Sequence, residues 1–123
     1  MVLAKSKFYL PAFTWAIIIL YLSATAVPQF KIDFIFSPDK INHFAAYGLL
    51  SILMVWGIWK TQKVFKRKVL LIILTISSIY GILMEIMQYL FFPNRYFDYG
   101  DMIANILGSI LGIIIIRIYY LFI

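Results

Sequence analysis

Four long apolar stretches follow one another along the chain, separated by short segments that carry most of its charges. They run over about residues 8–27, 41–59, 69–92 and 102–123. Because a bilayer core of about 30 Å takes about 20 apolar residues to cross as a helix, each stretch is long enough to span. The pattern therefore predicts an all-α fold, an integral membrane bundle of four transmembrane helices that forms a single domain over 1–123.

Composition excludes a soluble domain. Of the 123 residues 64% are hydrophobic and 13% are charged, which leaves too few polar side chains to cover a soluble surface. The chain has no cysteine, so neither a disulfide nor a thiolate metal site is available. The net charge of +6 does not indicate nucleic acid, because the basic residues flank apolar spans and form no patch with stacking aromatics. The expected surroundings are membrane lipid, with no nucleic-acid partner.

The basic residues are divided unequally between the two sides that the four spans define. One side holds the larger set, which comprises Lys5, Lys7, Lys60, Lys63, Lys66, Arg67, Lys68 and Arg117. The other side holds Lys31, Lys40 and Arg95, together with all the acidic residues. Since cytoplasmic loops carry the excess of Lys and Arg, both termini are predicted to be cytoplasmic. The protein is then a multi-pass protein of the cytoplasmic membrane with two outer loops.

The first span has a second interpretation. A basic start, an apolar stretch and the small-residue sequence at 24–26 together resemble a cleavable signal peptide. The apolar run is at the long limit for such a peptide and contains Pro11 and Trp15. A retained helix is therefore favoured, while cleavage stays open as the alternative.

The predicted outer loops contain signals of their own. Apolar residues alternate with others over 30–37, and this period of two predicts an extended segment with one apolar face. Ser37 followed by Pro38 is typical of an N-cap and a first helical position. Pro93 and Asn94 predict a turn that ends the third span.

Polar and small residues recur at helical spacing in three of the four spans. They are Asp39, Lys40, His43, Tyr47 and Ser51 in the second, Gly81, Glu85 and Gln88 in the third, and Asp101, Asn105, Gly108 and Gly112 in the fourth. Residues at such spacings share one helix face. Because successive spans alternate in direction, the three stripes reach the same depth near the outer side. They are predicted to form one polar cluster.

Among these residues, Glu85 is the one whose burial in the membrane costs the most free energy. An ionised group inside a membrane span costs about 2.5 to 3.5 kcal/mol on insertion scales, so Glu85 is expected to face protein. It either holds a proton or pairs with Lys40, His43 or Arg95, and the sequence does not choose between these. A purely structural alternative also stays open, in which Glu85 and Gln88 hydrogen-bond across helices to stabilise the bundle.

Several of the remaining polar and small positions have structural interpretations. Asp98 followed three residues later by Asp101 fits an N-cap with an acidic residue in the first turn. Asn105 lies too deep to cap, so its amide needs a partner in the bundle. Gly108 and Gly112 form a small-xxx-small pair that favours close helix packing, and Gly81 is placed with them as a packing glycine.

His43 is the single histidine of the chain. With Glu85 and Asp101 it could in principle form a metal or acid/base constellation. No nucleophile motif accompanies it, and a binding or structural histidine is favoured. We therefore expect no metal and no cofactor, assign no catalytic residue, and favour a binding protein over an enzyme.

The stripes coincide with three motifs. These are D-K-x-x-H-F-x-x-Y at 39–47, G-x-x-x-E-x-x-Q at 81–88 and R-x-x-D-x-x-D-x-x-x-N-x-x-G-x-x-x-G at 95–112. In this order the chain resembles the VanZ-like family of small membrane proteins, whose namesake is associated with low-level teicoplanin resistance. The resemblance implies that the family's polar set lies at Asp39, Lys40, His43, Glu85, Gln88, Arg95, Asp101 and Asn105. It implies no settled biochemical mechanism.

Three hypotheses follow. The leading one is a non-enzymatic protein whose outward-facing polar pocket, with Glu85, Asp101 and Arg95, binds a membrane lipid headgroup, a lipid-linked wall precursor or a lipoglycopeptide and contributes to teicoplanin-type resistance in a bacterial envelope. The alternative is an enzyme that modifies a lipid-linked envelope component, with His43 and Glu85 as acid/base groups, with or without a divalent ion. In the third, the polar cluster only holds the helices together.

Overall fold

A computed structural model of the chain describes residues 2–25, 38–92 and 97–123. In these ranges the chain is helical apart from short connections, and no strand occurs among the described residues. The helices are α1 (Val2–Ser6), α2 (Leu10–Ala24), α3 (Pro38–Gln62), α4 (Arg67–Phe91) and α5 (Tyr99–Leu121). A single 3-10 turn, Lys7–Tyr9, joins α1 to α2.

Within the described ranges, four helical segments are long and apolar enough to cross a membrane: Ala4–Ala24, Asp39–Gln62, Arg67–Phe91 and Tyr99–Leu121. The predicted all-α protein with four membrane-spanning helices is thus confirmed. The helices α3 and α4 begin before their predicted apolar stretches, because helical backbone bonding continues into polar residues that a hydropathy pattern does not count.

The helix ends use local signals that the sequence contains. Pro38 begins α3, as expected for proline in a first turn, while Ser37 and the alternating segment before it lie outside the described residues. At the other end Lys63 adopts a left-handed conformation with φ 58° and donates its N–H to the Trp59 carbonyl oxygen at 2.9 Å. The Asp98 carboxylate caps α5 by accepting the Gly100 N–H at 2.7 Å.

Helices α3 and α5 approach each other backbone to backbone. A Cβ atom added at Gly108 would collide with the backbone of Phe44, and one added at Gly112 would collide with the Gly48 carbonyl oxygen and the Ser51 hydroxyl. Glycine is therefore required at both positions for this helix separation. These are two of the three positions that the sequence assigns to helix packing.

The two ends of the bundle have different interiors. At the basic end, where α3 leads into α4, the buried cluster is entirely apolar and consists of Val55, Leu70, Ile73 and Ile116. At the polar end, where α3 and α5 begin and α4 ends, the buried side chains include Glu85, Gln88, Asp101 and Asn105. The candidate site therefore lies at the polar end.

Helix α2 is attached to its neighbours partly through backbone carbonyl oxygens. Trp15 Nε1 donates to the Ala46 carbonyl oxygen of α3 at 2.8 Å, and the Tyr80 hydroxyl of α4 donates to the Ala16 carbonyl oxygen at 2.6 Å. Much of the remaining α2 surface is exposed, including Phe13. An exposed apolar surface on a membrane-spanning helix is suited to contact with lipid.

Candidate functional site

One side chain from each of α3, α4 and α5 meets at the polar end of the bundle. His43 Nε2 lies 3.6 Å from Glu85 Oε1 and 3.6 Å from Asp101 Oδ2. One ligand atom from each residue lies within 4.8 Å of those from the other two. We call these three residues the His–carboxylate cluster.

Both carboxylates of the His–carboxylate cluster are removed from solvent. Glu85 and Asp101 are each 2% exposed, and the His43 side chain is 17% exposed. Transfer of two carboxylates into a buried site is costly unless opposite charge, a proton or hydrogen bonds compensate for lost hydration. The three side chains are close enough for a cation or a proton to lie between them.

Asn105 sets the orientation of the imidazole. Its Oδ1 lies 3.1 Å from His43 Nδ1, and because an amide oxygen only accepts, the two atoms form a hydrogen bond when Nδ1 holds the ring proton. The second ring nitrogen, Nε2, then faces the carboxylate oxygens of Glu85 and Asp101. The lone pairs of these three atoms repel one another unless a proton or a metal ion lies between them.

Gly81 provides the space for Asn105. The Asn105 side chain is buried, and a Cβ atom at Gly81 would lie 2.7 Å from its Nδ2. A larger residue in α4 would displace this amide and with it the hydrogen bond to His43. Gly81, which the sequence assigns to packing, thus also makes room beside the His–carboxylate cluster.

Lys40 and Asp98 form an ion pair next to the His–carboxylate cluster. Lys40 Nζ lies 3.3 Å from Asp98 Oδ2, with both side chains partly exposed. Among the three cations that the sequence offers as partners of Glu85, His43 is thus seen 3.6 Å away, Lys40 pairs with Asp98, and Arg95 lies outside the described residues.

The other predicted site residues occupy different surroundings. Gln88 Nε2 donates to the Ser23 carbonyl oxygen at 3.1 Å, so it connects α4 to α2. Tyr47 is buried and packs beside Tyr80, with ring centroids 6.3 Å apart. Asp39 is exposed in the first turn of α3. The predicted stripe residues therefore share one end of the bundle, and only some of them meet in the His–carboxylate cluster.

A cavity of about 630 Å³ lies beside the His–carboxylate cluster and shares His43 with it. Its lining comprises Trp15, Ile19, Leu22, Ser23, Thr25, Asp39, Asn42, His43, Ala45, Ala46, Tyr47, Leu49 and Gln88. This volume falls in the usual range of about 300–1,000 Å³ for small-molecule sites. We call it the α2–α3 pocket.

The α2 wall of this pocket and Asn42 were not assigned to the site from the sequence. Trp15, Ile19 and Leu22 look like ordinary residues of an apolar span, because a hydropathy pattern does not show which neighbour a face meets. Asn42 stands next to His43 within the first motif. A polar residue near the start of a membrane helix was the one signal in the sequence that could have assigned Asn42 to the site.

Together these features define a class: a multi-pass membrane protein with a buried His–carboxylate cluster and an adjoining pocket at one end of its helices. A family model described as VanZ/LLP1 matches residues 4–120. The chain belongs to this family, which confirms the resemblance of the motifs and extends it over the first span and the basic loop. Searches of curated proteins and of solved structures each found no match.

The donor set limits the chemistry available here. The sequence predicted no metal site, yet an imidazole and two carboxylates in mutual range can bind a divalent ion. The same groups can move protons. Ion binding, proton transfer and recognition of a polar headgroup are therefore all within the chemistry of these side chains.

Proposed function

We propose that this protein binds the polar headgroup of an amphipathic component of the bacterial envelope in the α2–α3 pocket. The observation that carries the proposal is the mixed lining of that pocket, which has an apolar wall on α2 and polar side chains on α3 and α4. A ligand with one polar and one hydrocarbon part matches such a lining.

The apolar part of the ligand is expected to lie along α2. Trp15, Ile19 and Leu22 line the pocket from this helix, while Phe13 and Tyr21 are exposed on it. A hydrocarbon chain entering between α2 and α3 would exchange one apolar surface for another at little cost. Lateral entry from the bilayer is therefore compatible with the pocket.

The polar part of the ligand is expected to lie near the start of α3. Asp39, Asn42, His43 and Gln88 line this part of the pocket, and they offer amide and imidazole donors together with oxygen acceptors. The Lys40–Asp98 ion pair lies on the same end of the bundle. Such donors suit a phosphate or sugar headgroup.

The distribution of charge supports an outward-facing pocket in the cytoplasmic membrane. The loop from α3 to α4 carries Lys63 and Lys66 and no acidic residue, and it belongs to the opposite end of the bundle. With the basic end inside, the pocket is accessible to lipids of the outer leaflet and to lipid-linked wall precursors. A lipoglycopeptide such as teicoplanin shares their amphipathic character, so a contribution to resistance is part of the proposal.

A second candidate is a membrane enzyme that modifies a lipid-linked envelope component. It is favoured by one observation, the position of His43 within 3.6 Å of two carboxylate oxygens, which is an arrangement suited to general acid/base catalysis. In this candidate His43 and Glu85 transfer protons to and from a substrate held in the α2–α3 pocket.

A pocket-blocking substitution tests the binding function. Ala45 lines the pocket, so Ala45→Phe fills part of the space without altering the His–carboxylate cluster. Ala24→Phe is the matched control, since Ala24 is exposed and does not line the pocket. Protein purified from a bacterial host is examined by native mass spectrometry for retained lipid.

Wild type and Ala24→Phe are expected to retain one headgroup-bearing lipid per chain after delipidation, and Ala45→Phe to lose it. Equal retention in Ala45→Phe would contradict binding in this pocket. The enzyme hypothesis predicts a different result. Wild type would carry a chemically altered lipid, whereas Glu85→Gln would retain the intact lipid and lack the product.

A further inference from the structure

We propose that His43, Glu85 and Asp101 bind one divalent transition-metal ion, with Zn²⁺ and Mn²⁺ as the best-matched candidates. One imidazole and two carboxylates form a mixed nitrogen and oxygen donor set, which suits these ions better than Ca²⁺ or Mg²⁺. Each of the three helices α3, α4 and α5 contributes one ligand. The ion would thus join the three helices at their polar end.

The distances are close to those of a coordination sphere. Ligand atoms held about 2.1 Å from one ion lie about 3.0–3.4 Å from each other. His43 Nε2 is 3.6 Å from an oxygen of Glu85 and 3.6 Å from an oxygen of Asp101. All three ligand atoms lie within 4.8 Å of one another, so ion binding would draw the side chains slightly closer together.

The charges also match. In their ionised form Glu85 and Asp101 together carry two negative charges in a site where each residue is 2% exposed, and this total is equal and opposite to the charge of a divalent ion. Asp101 Oδ1 makes no hydrogen bond within the part of the chain that the structure describes. A buried carboxylate oxygen without such a bond is an available metal ligand.

The surroundings already orient the imidazole as a metal ligand. Histidines that bind metals usually donate their other ring N–H to an oxygen acceptor, which fixes the tautomer and the ring plane. His43 does this through Nδ1 and Asn105 Oδ1 at 3.1 Å. Asn105 therefore acts as a positioning residue, in the space that Gly81 leaves open.

Three protein ligands leave at least one coordination position for another molecule. His43 also lines the α2–α3 pocket, so an anionic oxygen of a headgroup in the pocket is the natural additional ligand. This last step rests on the proposed function, whereas ion binding by the three side chains does not.

Metal binding by the purified full chain is the test. Detergent-solubilised protein is stripped with a chelator, loaded with Mn²⁺ or Zn²⁺, and freed of excess ion, and its metal content is measured by mass spectrometry. Wild type is expected to hold one ion per chain. The Mn²⁺ form is expected to show coupling to one histidine nitrogen in pulsed electron paramagnetic resonance.

Four variants locate the ion. Glu85→Gln and Asp101→Asn are each expected to weaken metal-ion binding by about 10-fold or more. Asn105→Leu removes the hydrogen bond that orients His43 and is expected to weaken it by about 10–100-fold. Ser77→Ala is the matched control, because it removes a buried oxygen from α4 that also lacks a hydrogen bond in the described structure, and its ion content should equal that of wild type.

Two results would overturn the proposal: wild type that holds no ion after loading, or Glu85→Gln and Asp101→Asn that bind as tightly as wild type. The wild-type measurement decides the question even if a variant fails to fold, which its elution profile and helicity would reveal. Ala45→Phe separates this proposal from the lipid-binding one, since blocking the pocket should leave the ion in place.

Discussion

The same three helices, α3, α4 and α5, meet at both ends of the bundle with opposite chemistry. At the basic end they are joined by Val55, Leu70, Ile73 and Ile116, which are buried and apolar. At the polar end they meet through His43, Glu85 and Asp101. The apolar cluster packs without polar side chains, while burial of carboxyl groups at the polar end costs free energy. Such a cost is characteristic of functional rather than stabilising residues in membranes.

Aromatic and basic side chains lie together at the basic end. Trp59, Phe65 and Tyr120 stack at the basic end, where the Trp59 centroid lies 4.7 Å from each of the other two. Lys63 Nζ lies 5.9 Å from the Trp59 ring centroid. Aromatic and basic side chains of this kind anchor helix ends at a membrane interface. The basic end therefore has the features of a helix end held at a membrane interface.

The largest expected effect comes from a substitution that separates α3 from α5 and so disturbs both ends of the bundle. Gly108→Leu places a side chain against the backbone of Phe44 and forces α3 away from α5, which should destabilise the fold by more than about 3 kcal/mol. The measurement is thermal stability by fluorescence-detected size-exclusion chromatography. Ala24→Leu, at an exposed position, should melt like wild type, and an unchanged melting profile for Gly108→Leu would refute close packing here.

The next prediction tests whether the basic end and the polar end are independent of each other. Ile73→Ala removes buried packing at the apolar cluster, and large-to-small core changes of this type cost about 2–5 kcal/mol. We expect lower thermal stability with unchanged metal content and lipid retention at low temperature. Exposed Ile76→Ala on the same helix is the control. Loss of the ion in folded Ile73→Ala would mean that the two ends are not independent.

Glu85→Gln should show the reverse pattern. A neutral amide of nearly the same shape keeps the packing and removes the carboxylate, so we expect the protein to stay folded while function is lost. Teicoplanin susceptibility is measured in a permeable bacterial host that expresses wild type, Glu85→Gln, Asp101→Asn or Ser77→Ala, with membrane levels compared by immunoblot.

Reduced susceptibility with wild type and Ser77→Ala, lost in the two cluster variants at equal abundance, would connect the His–carboxylate cluster to the envelope. A strongly destabilised Glu85→Gln would instead assign Glu85 to structure, as in the third hypothesis. No change with wild type would remove teicoplanin from the proposal and leave the lipid-retention experiment to decide it.

The smallest expected effect concerns α2. Gln88→Leu removes the 3.1 Å hydrogen bond from Nε2 to the Ser23 carbonyl oxygen, and interhelical bonds in membranes contribute about 0.6 kcal/mol on average. Lipid retention should fall modestly while the ion stays bound, since Gln88 lines the pocket and is not a cluster ligand. Loss of the ion in Gln88→Leu would place Gln88 in the cluster after all.

Much of this architecture was predictable from the order of residues. Hydropathy alone indicates the four spans, because lipid imposes the same length and apolarity on each. Pro38 and Asp98 mark the starts of α3 and α5 through local backbone chemistry. Helical periodicity places His43, Glu85 and Asp101 on polar stripes at one depth, since residues three and four apart share a face.

Only the tertiary structure decides which stripe residues touch. Gln88 shares a stripe with Glu85, yet it bonds to Ser23 of α2, and Asn105 reaches His43 across 62 positions of sequence. Periodicity gives the face of a helix but not its rotation and distance relative to its neighbours. The rotation and distance are set by the close approach of the helices at Gly81, Gly108 and Gly112. This packing brings the His–carboxylate cluster together, and α2 then completes the pocket.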